Sequence, residues 1–451
     1  MTDNPFPTDD PQGYLNDILK DAKAAGADAA DAIMVAGTSS SISCRLGETE
    51  DLERSEGSDL GLRVLIGQKQ AVVSSSDLSM NAIGQLIERA VSMAKAVPDD
   101  AYAGLADPDQ LATDIPDLDE YDPSEPSAEH MIDMARACED AARAVDGITN
   151  SEGSEASFGK SSVYLAATNG FAGFRQGSRF SISVSVVAGE GTGMERDYDY
   201  ATCVWQDDLP DPTDLGRGAA ERTVRRLNPR KVESTQVPVI FDPRVASSLV
   251  SHLSSAINGQ SVARGTTFLK DSMGAKIFAD GITIVDDPHR QRGLRSKPFD
   301  GEGVATKTRN LIDNGVLTTW IMDLATSRQL GLETTGHAAR GTGGPPSPSS
   351  TNVHLQAGNI SRDDMISGVD RGLYVTEMIG MGVNGVTGDY SRGAGGFWIE
   401  NGELTYPVSE ITLASNLRDM FKNITPADDL KFKYATNSPT VRVDGMTLAG
   451  V

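Results

Sequence analysis

Between Val237 and Phe268 a short apolar run gives way to a helical stripe. Val237-Pro-Val-Ile-Phe has the length of a buried strand, and Asp242-Pro243 marks a turn. The residues from there to Gly259 predict a helix that ends at this glycine. That helix carries one histidine, His252, and no acidic residue. A helix that follows a buried strand often holds an enzyme's chemistry, so its side chains set the questions for the rest of the chain.

Upstream, Leu15, Ile18, Leu19 and Ala22 have the spacing of an amphipathic helix over Tyr14 to Ala25. From Asp31 the period changes. Ile33–Val35, Ser41–Leu46, Gly61–Ile66 and Ala71–Val73 predict separate strands broken by Gly, Ser and acidic turns. Asp77 is the expected N-cap of a helix reaching Ala96, and a second helix is expected from Ser127 to Val145. Ser161 to Trp205 is β-rich, with a hairpin signal at Asn169-Gly170 and period-two alternation from Phe180. A helix over Asp214–Leu227 stops at Asn228-Pro229. The polar segment Arg230–Gln236 is the expected domain boundary.

The second half is turn-rich and mainly β. Ile282–Val285 predicts a strand, and Asn314-Gly315 and Asn401-Gly402 predict two further hairpins. Leu417, Met420, Phe421 and Ile424 form the stripe of a helix expected to close the fold. The fold class is therefore α+β. Residues 1–230 form an N-terminal α/β domain of mixed strands and helices, and residues 231–451 a C-terminal β-rich domain. The stretch 97–129 is crowded with Asp, Glu and Pro and has no Lys or Arg. It is expected to be a solvated connector on the surface, with a regulatory acidic arm as the alternative.

Composition narrows the function. The 451 residues are 39% hydrophobic and 23% charged, an ordinary globular balance. The formal charge of −24 repels nucleic-acid phosphates and anionic membranes. No apolar run approaches the roughly eighteen residues of a membrane-spanning helix. Met1–Asp10 has neither the basic nor the apolar part of a secretory leader, so a cytoplasmic protein is expected. The three cysteines, Cys44, Cys138 and Cys203, are odd in number, widely spaced and without a CxxC pair. That argues against a disulfide framework or a thiolate metal site.

Candidate chemistry is sparse. A zinc hydrolase needs imidazoles or carboxylates converging on one ion, plus a base for its water. The five histidines, His130, His252, His289, His337 and His354, include no pair at short helical spacing, and HExxH is absent. His252 reads as a hydrogen-bonded structural histidine, and Cys203 as a small buried residue of a strand. No Gly-x-Ser-x-Gly elbow stands in a strand-turn-helix context. The glycine-dense run Gly380–Gly396 matches neither the P-loop nor the dinucleotide fingerprint. A peptide backbone could lie against Gly382, Gly385, Gly388, Asp389 and Gly395, and tight turns without a ligand are the alternative. Asp286, Asp300 and Glu302 stand in acidic clusters beside expected strand ends. They could order Arg264, Arg290 or Arg328, or hold a cation, and structural pairing is the default.

These segments together resemble the TldD/PmbA family of peptidase proteins. The resemblance rests on Gly265-Thr-Thr-Phe-Leu, Val285-Asp-Asp-Pro, Phe299-Asp-Gly-Glu-Gly-Val-Ala-Thr, Leu311-Ile-Asp-Asn-Gly-Val-Leu, Ala325-Thr-Ser-Arg328-Gln-Leu-Gly-Leu, Thr334-Thr-Gly-His337 and the Gly380–Gly396 run, which keep the family's order. In the TldD arm, the helix after the central strand carries HExxxH, and a distant cysteine completes a zinc site. Counting back from Gly259 without gaps, those ligand and base positions fall on Val250, Ser251 and Ser255, with His252 beside them. The segment that should supply the cysteine reads Thr387-Gly-Asp-Tyr-Ser. The chain thus resembles the PmbA (TldE) arm. The resemblance implies a subunit with no metal or cofactor of its own, paired with a zinc-bearing TldD-like partner. It also implies peptides or unfolded polypeptides as substrates. The alternatives are a free-standing, homodimeric hydrolase with a different site, and a non-enzymatic peptide-binding or scaffold protein.

Overall fold

The computed structural model describes residue 6 and residues 8–451, and the reading of Met1–Asp10 rests largely on residues outside that range. The chain opens with helix α1 (Pro11–Ala24) and strands β1 (Ala29–Arg45), β2 (Glu48–Ile66) and β3 (Lys69–Ser75). Helices α2 (Met80–Ala96) and α3 (Ala128–Arg143) flank the connector, and strands β4 (Ile148–Ala167), β5 (Ala172–Ala188) and β6 (Glu195–Cys203) lead to helix α4 (Pro212–Arg225). The six strands form one antiparallel sheet in the order β3-β2-β1-β4-β5-β6.

One face of this sheet is covered by helices because alternate strand residues are apolar. Met34, Leu62 and Val64 pack with the α1 and α2 stripes, and Phe158, Ile182 and Val184 with α3 and α4. Gly216 lets α4 lie against α3, since a Cβ there would come 2.0 Å from the Cys138 carbonyl. The opposite face, through Ile33, Leu165 and Phe171, meets Phe299 of the second half.

That second half starts with β7 (Thr235–Phe241), α5 (Pro243–Ala256) and α6 (Gly259–Ala263). The short strands β8 (Ile284–Asp286), β9 (Arg309–Asp313) and β10 (Val316–Leu317) precede α7 (Leu324–Leu330). Strands β11 (Ala338–Ala339), β12 (Ser347–Pro348) and β13 (Val353–Leu355) lead to α8 (Arg362–Ser367). Next come β14 (Arg371–Ile379), β15 (Asp389–Glu400), β16 (Glu403–Asn416), α9 (Leu417–Lys422), β17 (Ile424–Pro426), β18 (Thr436–Asn437) and β19 (Val441–Ala449). Strands β7, β14, β15, β16 and β19 close into a barrel, because β19 pairs with both β7 and β16. Val239, Phe241, Val375, Trp398 and Val443 fill the largest core, together with the buried stripe of α5. Among the described residues, no helix is long and apolar enough to cross a membrane.

The α+β class and the three Asn-Gly turns agree with the sequence reading. Asn314-Gly315 and Asn401-Gly402 take positive φ at both positions, as hairpin turns require. Several details differ. Ile33–Val35 and Ser41–Arg45 lie in one continuous strand, and Gly61–Ile66 is the end of a nineteen-residue one. The N-cap of α2 is Ser79, while Asp77 accepts the Ser79 backbone N–H at 2.9 Å. Ile282 and Thr283 precede β8. Gly259 does not end the long helix but starts α6, its N–H donating to the Ile321 carbonyl at 2.8 Å. The α9 helix is followed by β19, which closes the barrel. The acidic connector is a surface strap with anchors. Ala106 and Leu118 are buried, and Asn169 donates to the Ala106 carbonyl at 2.9 Å.

Candidate functional site

Helix α5 is fixed at both ends by its own sequence. Asp242 accepts the Arg244 N–H at 3.0 Å and the Tyr374 hydroxyl at 2.7 Å, which joins the cap to β14. Asn258 caps α6, accepting from the Gln260 N–H at 3.0 Å. Between them Ala246, Leu249, Val250, Leu253 and Ala256 form the buried stripe. Full burial of a side chain such as Leu253 contributes about 2 kcal/mol.

The positions of interest divide between the two faces of this helix. Val250 is buried in the core. Ser251 and Ser255 are exposed, and the Ser251 hydroxyl donates to the Ser247 carbonyl at 3.1 Å. A valine offers a metal no donor atom, and neutral serine hydroxyls are poor ligands for zinc beside imidazole, thiolate or carboxylate. These residues do not fit the zinc ion that the family's ligand pattern implies. Among the described residues, no group of three or more His, Cys, Asp or Glu side chains is placed to hold a metal ion.

His252 sits between α5 and the β14–β15 hairpin. Its ring meets Tyr390 edge-on, with centroids 6.1 Å apart. Contrary to the sequence reading, its Nε2 has no hydrogen-bond partner among the described residues. Burial, and secondarily the charge of Arg392, push the imidazole down to about 4. Burial also pushes the Tyr390 hydroxyl up to about 12. The histidine is therefore neutral, apolar in its contacts and unsuited to proton transfer near pH 7.

The glycine run forms the exposed end of that hairpin. Its close approaches are to its own chain. A Cβ on Gly382 would come 1.8 Å from the Ser391 carbonyl, and one on Gly388 (φ +83) 3.0 Å from Asn416. Gly385 has open space around it, while its carbonyl accepts the Phe268 N–H at 2.9 Å. Asp389 accepts from Thr387 at 2.6 Å and from Asn416 at 3.1 Å. Gly395 is buried near Glu377 and Arg226. The fold thus brings the α5 positions and this run together through the contact of His252 with Tyr390.

The other candidate residues form a second, buried polar cluster at the junction of the two halves. Asp286 accepts the Thr351 N–H at 2.9 Å and faces His337 Nε2 at 3.4 Å. Burial raises its carboxyl, but the bonds from His337 and Thr351 outweigh burial and hold it below the usual range. Asp300 accepts three backbone N–H groups, from Glu302, Val304 and Ala338, at 2.8 to 3.0 Å. Glu302 accepts the Leu324 N–H at 2.9 Å, and burial followed by the Asp300 charge pushes it up to about 8. Arg264, Arg290 and Arg328 do not pair with these carboxylates. Arg328 donates to the Tyr102 and Leu105 carbonyls of the connector, and Arg290 stacks over Phe432. Cys203 is half-exposed, with its Sγ donating to the Asp208 carbonyl at 3.2 Å.

Sequence reasoning missed the ionic centre of this junction. Asp31 of β1 binds Arg63 Nε at 2.8 Å and pairs with Arg340 of the second half, and all three side chains are buried. Gly61 allows this approach, because a Cβ there would lie 2.4 Å from the Thr342 carbonyl. A second bridge joins Arg226 of the α4 C-cap to Glu195, Asp197 and Glu377, and Arg244 to Asp197. A lone Asp31 within Ala29–Val35, and a lone Arg63 within Leu60–Ile66, were the available signals.

Comparison with known proteins defines the class. The chain belongs to the PmbA/TldD family of metallopeptidase proteins. Residues 234–450 match the model of the PmbA/TldA metallopeptidase C-terminal domain, residues 121–227 the central domain and residues 30–94 domain 1. Within the family it is similar to the Metalloprotease PmbA of Escherichia coli O157:H7, at 41% identity over 92% of this chain and 90% of that protein. It is 38% identical to the PmbA homolog of Haemophilus influenzae, over 91% of this chain and 90% of the other. Among solved structures, a Bacteroides thetaiotaomicron protein described as a modulator of DNA gyrase superposes with a TM-score of 0.91 at 27% identity, over 99% of this chain and 100% of that one. TldE from Thermococcus kodakarensis shares the fold, with a TM-score of 0.86 at 21% identity, over 97% of this chain and 100% of that one.

Proposed function

We propose that this chain is the PmbA/TldE-type subunit of a cytoplasmic metallopeptidase complex that acts on peptides or unfolded polypeptides. The zinc and the cleavage belong to a TldD-like partner, with which it forms a heterodimer. The observation that carries this reading is the side-chain set of α5. The helix is capped, buried and joined to the barrel, yet offers Val250, Ser251 and Ser255 where zinc ligands and a base are required. The acidic residues of the alternative site are occupied internally, Asp300 by three backbone N–H groups and Asp286 by Thr351 and His337.

The test is affinity capture of the tagged chain from its native cell, followed by a peptidase assay on the isolated chain and on the complex. Capture of an HExxxH-bearing protein, with cleavage only in the complex, is the expected result. Stoichiometric homodimers that cleave peptides alone would refute the proposal.

A further inference from the structure

The helix-free face of the N-terminal sheet is covered at one end by the second half, through Ile33, Leu165 and Phe299. Beyond that contact it borders a cavity of about 480 Å³, bounded by β1, β4, β5, the connector and residues 293–296. This is within the roughly 300–1,000 Å³ range of small-ligand sites. The strand residues facing it include Gly37, Ser39, Gly159 and Ser161, whose small side chains leave the space open.

Two charged groups in this cavity have no use within the protein. Glu120 of the connector has an Oε1 that is shielded from solvent and without a hydrogen-bond partner. Arg175 of β5 interacts with Glu120 only through space, and its guanidinium makes no hydrogen bond or ion pair among the described residues. Their charged neighbours are engaged. Lys160 bonds the Pro123 carbonyl at 2.7 Å and Glu125 at 3.2 Å, and Arg179 bonds the Leu294 carbonyl at 3.4 Å. Burial without a hydrogen bond is costly to both, pushing the Glu120 carboxyl up to about 7, an effect Arg175 offsets only in part, and pulling the Arg175 guanidinium down. A ligand that satisfied both would recover that cost.

We propose that this cavity binds a carboxylate that carries an N–H group on the adjacent carbon. Arg175 takes the carboxylate through its planar fork, and Glu120 accepts the N–H. That chemistry belongs both to a free α-amino acid and to the C-terminal residue of a peptide. The peptide source rests on the peptide reading above, but the site is tested on this chain alone, so its failure leaves the partner-dependent activity to be judged separately.

The experiment is titration calorimetry of the full chain with trialanine, trialanine amide and free L-alanine at neutral pH. Trialanine is expected to bind, and the amide to bind roughly tenfold more weakly or worse. Arg175→Gln should produce the same loss, Arg175→Lys should retain part of the affinity, and Glu120→Gln should weaken binding. Tighter binding of trialanine than of L-alanine assigns the site to peptide ends, and the reverse assigns it to free amino acids. Equal affinity for acid and amide, or no binding of any of the three to the folded wild-type chain, overturns the proposal. The comparison of acid with amide needs no variant, so a misfolded mutant cannot decide it.

Discussion

The rings of His252 and Tyr390 meet edge to face with centroids 6.1 Å apart, and the histidine's Nε2 finds no partner among the described residues. On the helix where the family's zinc arm carries ligands, this imidazole is a packing group. Its pH behaviour follows. Burial holds it near 4, below the ordinary 6.5. The unfolded chain therefore takes up a proton more readily than the native one, so this contribution to stability is present above 6.5 and is lost as pH falls through 4. NMR titration of His252 is expected to give a midpoint well below 6.5. A midpoint at or above 6.5 would show an imidazole that is solvated or paired with an acid.

The Asp31–Arg63–Arg340 cluster joins the two halves. Asp31→Asn keeps the shape but takes from two buried guanidinium groups the carboxylate that pairs them, and should cost about 3–5 kcal/mol. Burial raises the Asp31 carboxyl, but Arg340 and Arg63 outweigh it and hold the carboxyl below its ordinary value. Its contribution is therefore present above the unfolded value and lost as pH falls through the folded one. Denaturant unfolding of wild type and variant measures the cost, and a change below 1 kcal/mol would remove this cluster from the account.

Glu302 has the opposite sign. Its carboxyl is raised to about 8, so the native state holds a proton that the unfolded state releases. Stability from this group is full below its unfolded value of about 4.5 and declines as pH rises through 8. Glu302→Gln preserves the acceptor for the Leu324 N–H and should flatten this slope, so that the variant is the more stable protein above pH 8. Melting temperatures measured from pH 5 to 9 decide it, and parallel curves would contradict the assignment.

Gly61 is required by a close approach rather than by its φ. Gly61→Ala forces a Cβ to within 2.4 Å of the Thr342 carbonyl, and should cost about 1–3 kcal/mol as the 340–343 segment shifts. Gly57, four residues earlier on β2, has nothing within 4 Å of its Cβ direction, so Gly57→Ala should be near neutral. Chemical denaturation of the two variants side by side tests the contrast.

What the sequence revealed depended on how local the cause was. The α5 stripe and the Asn-Gly turns are encoded within a few residues of themselves, and they stand where the pattern put them. The long β1–β2 hairpin was not legible. Glu48–Gly57 is exposed and has no alternation, and its strand geometry comes from pairing with Gly37–Arg45. Asp77 and Ser79 compete for the same cap, and only the backbone path chooses Ser79. The pairing of Asp31 with Arg340 spans most of the chain, so one sequence offers only the oddity of single charges in apolar runs.

In the proposed complex, α5 supports the fold and leaves the metal chemistry to another chain. Elemental analysis of the purified chain after equilibration with zinc, beside the same measurement on the captured complex, tests it most directly. No stoichiometric zinc is expected on the chain alone, and stoichiometric zinc with peptide cleavage is expected in the complex. Stoichiometric zinc on the isolated chain, accompanied by cleavage, would contradict it.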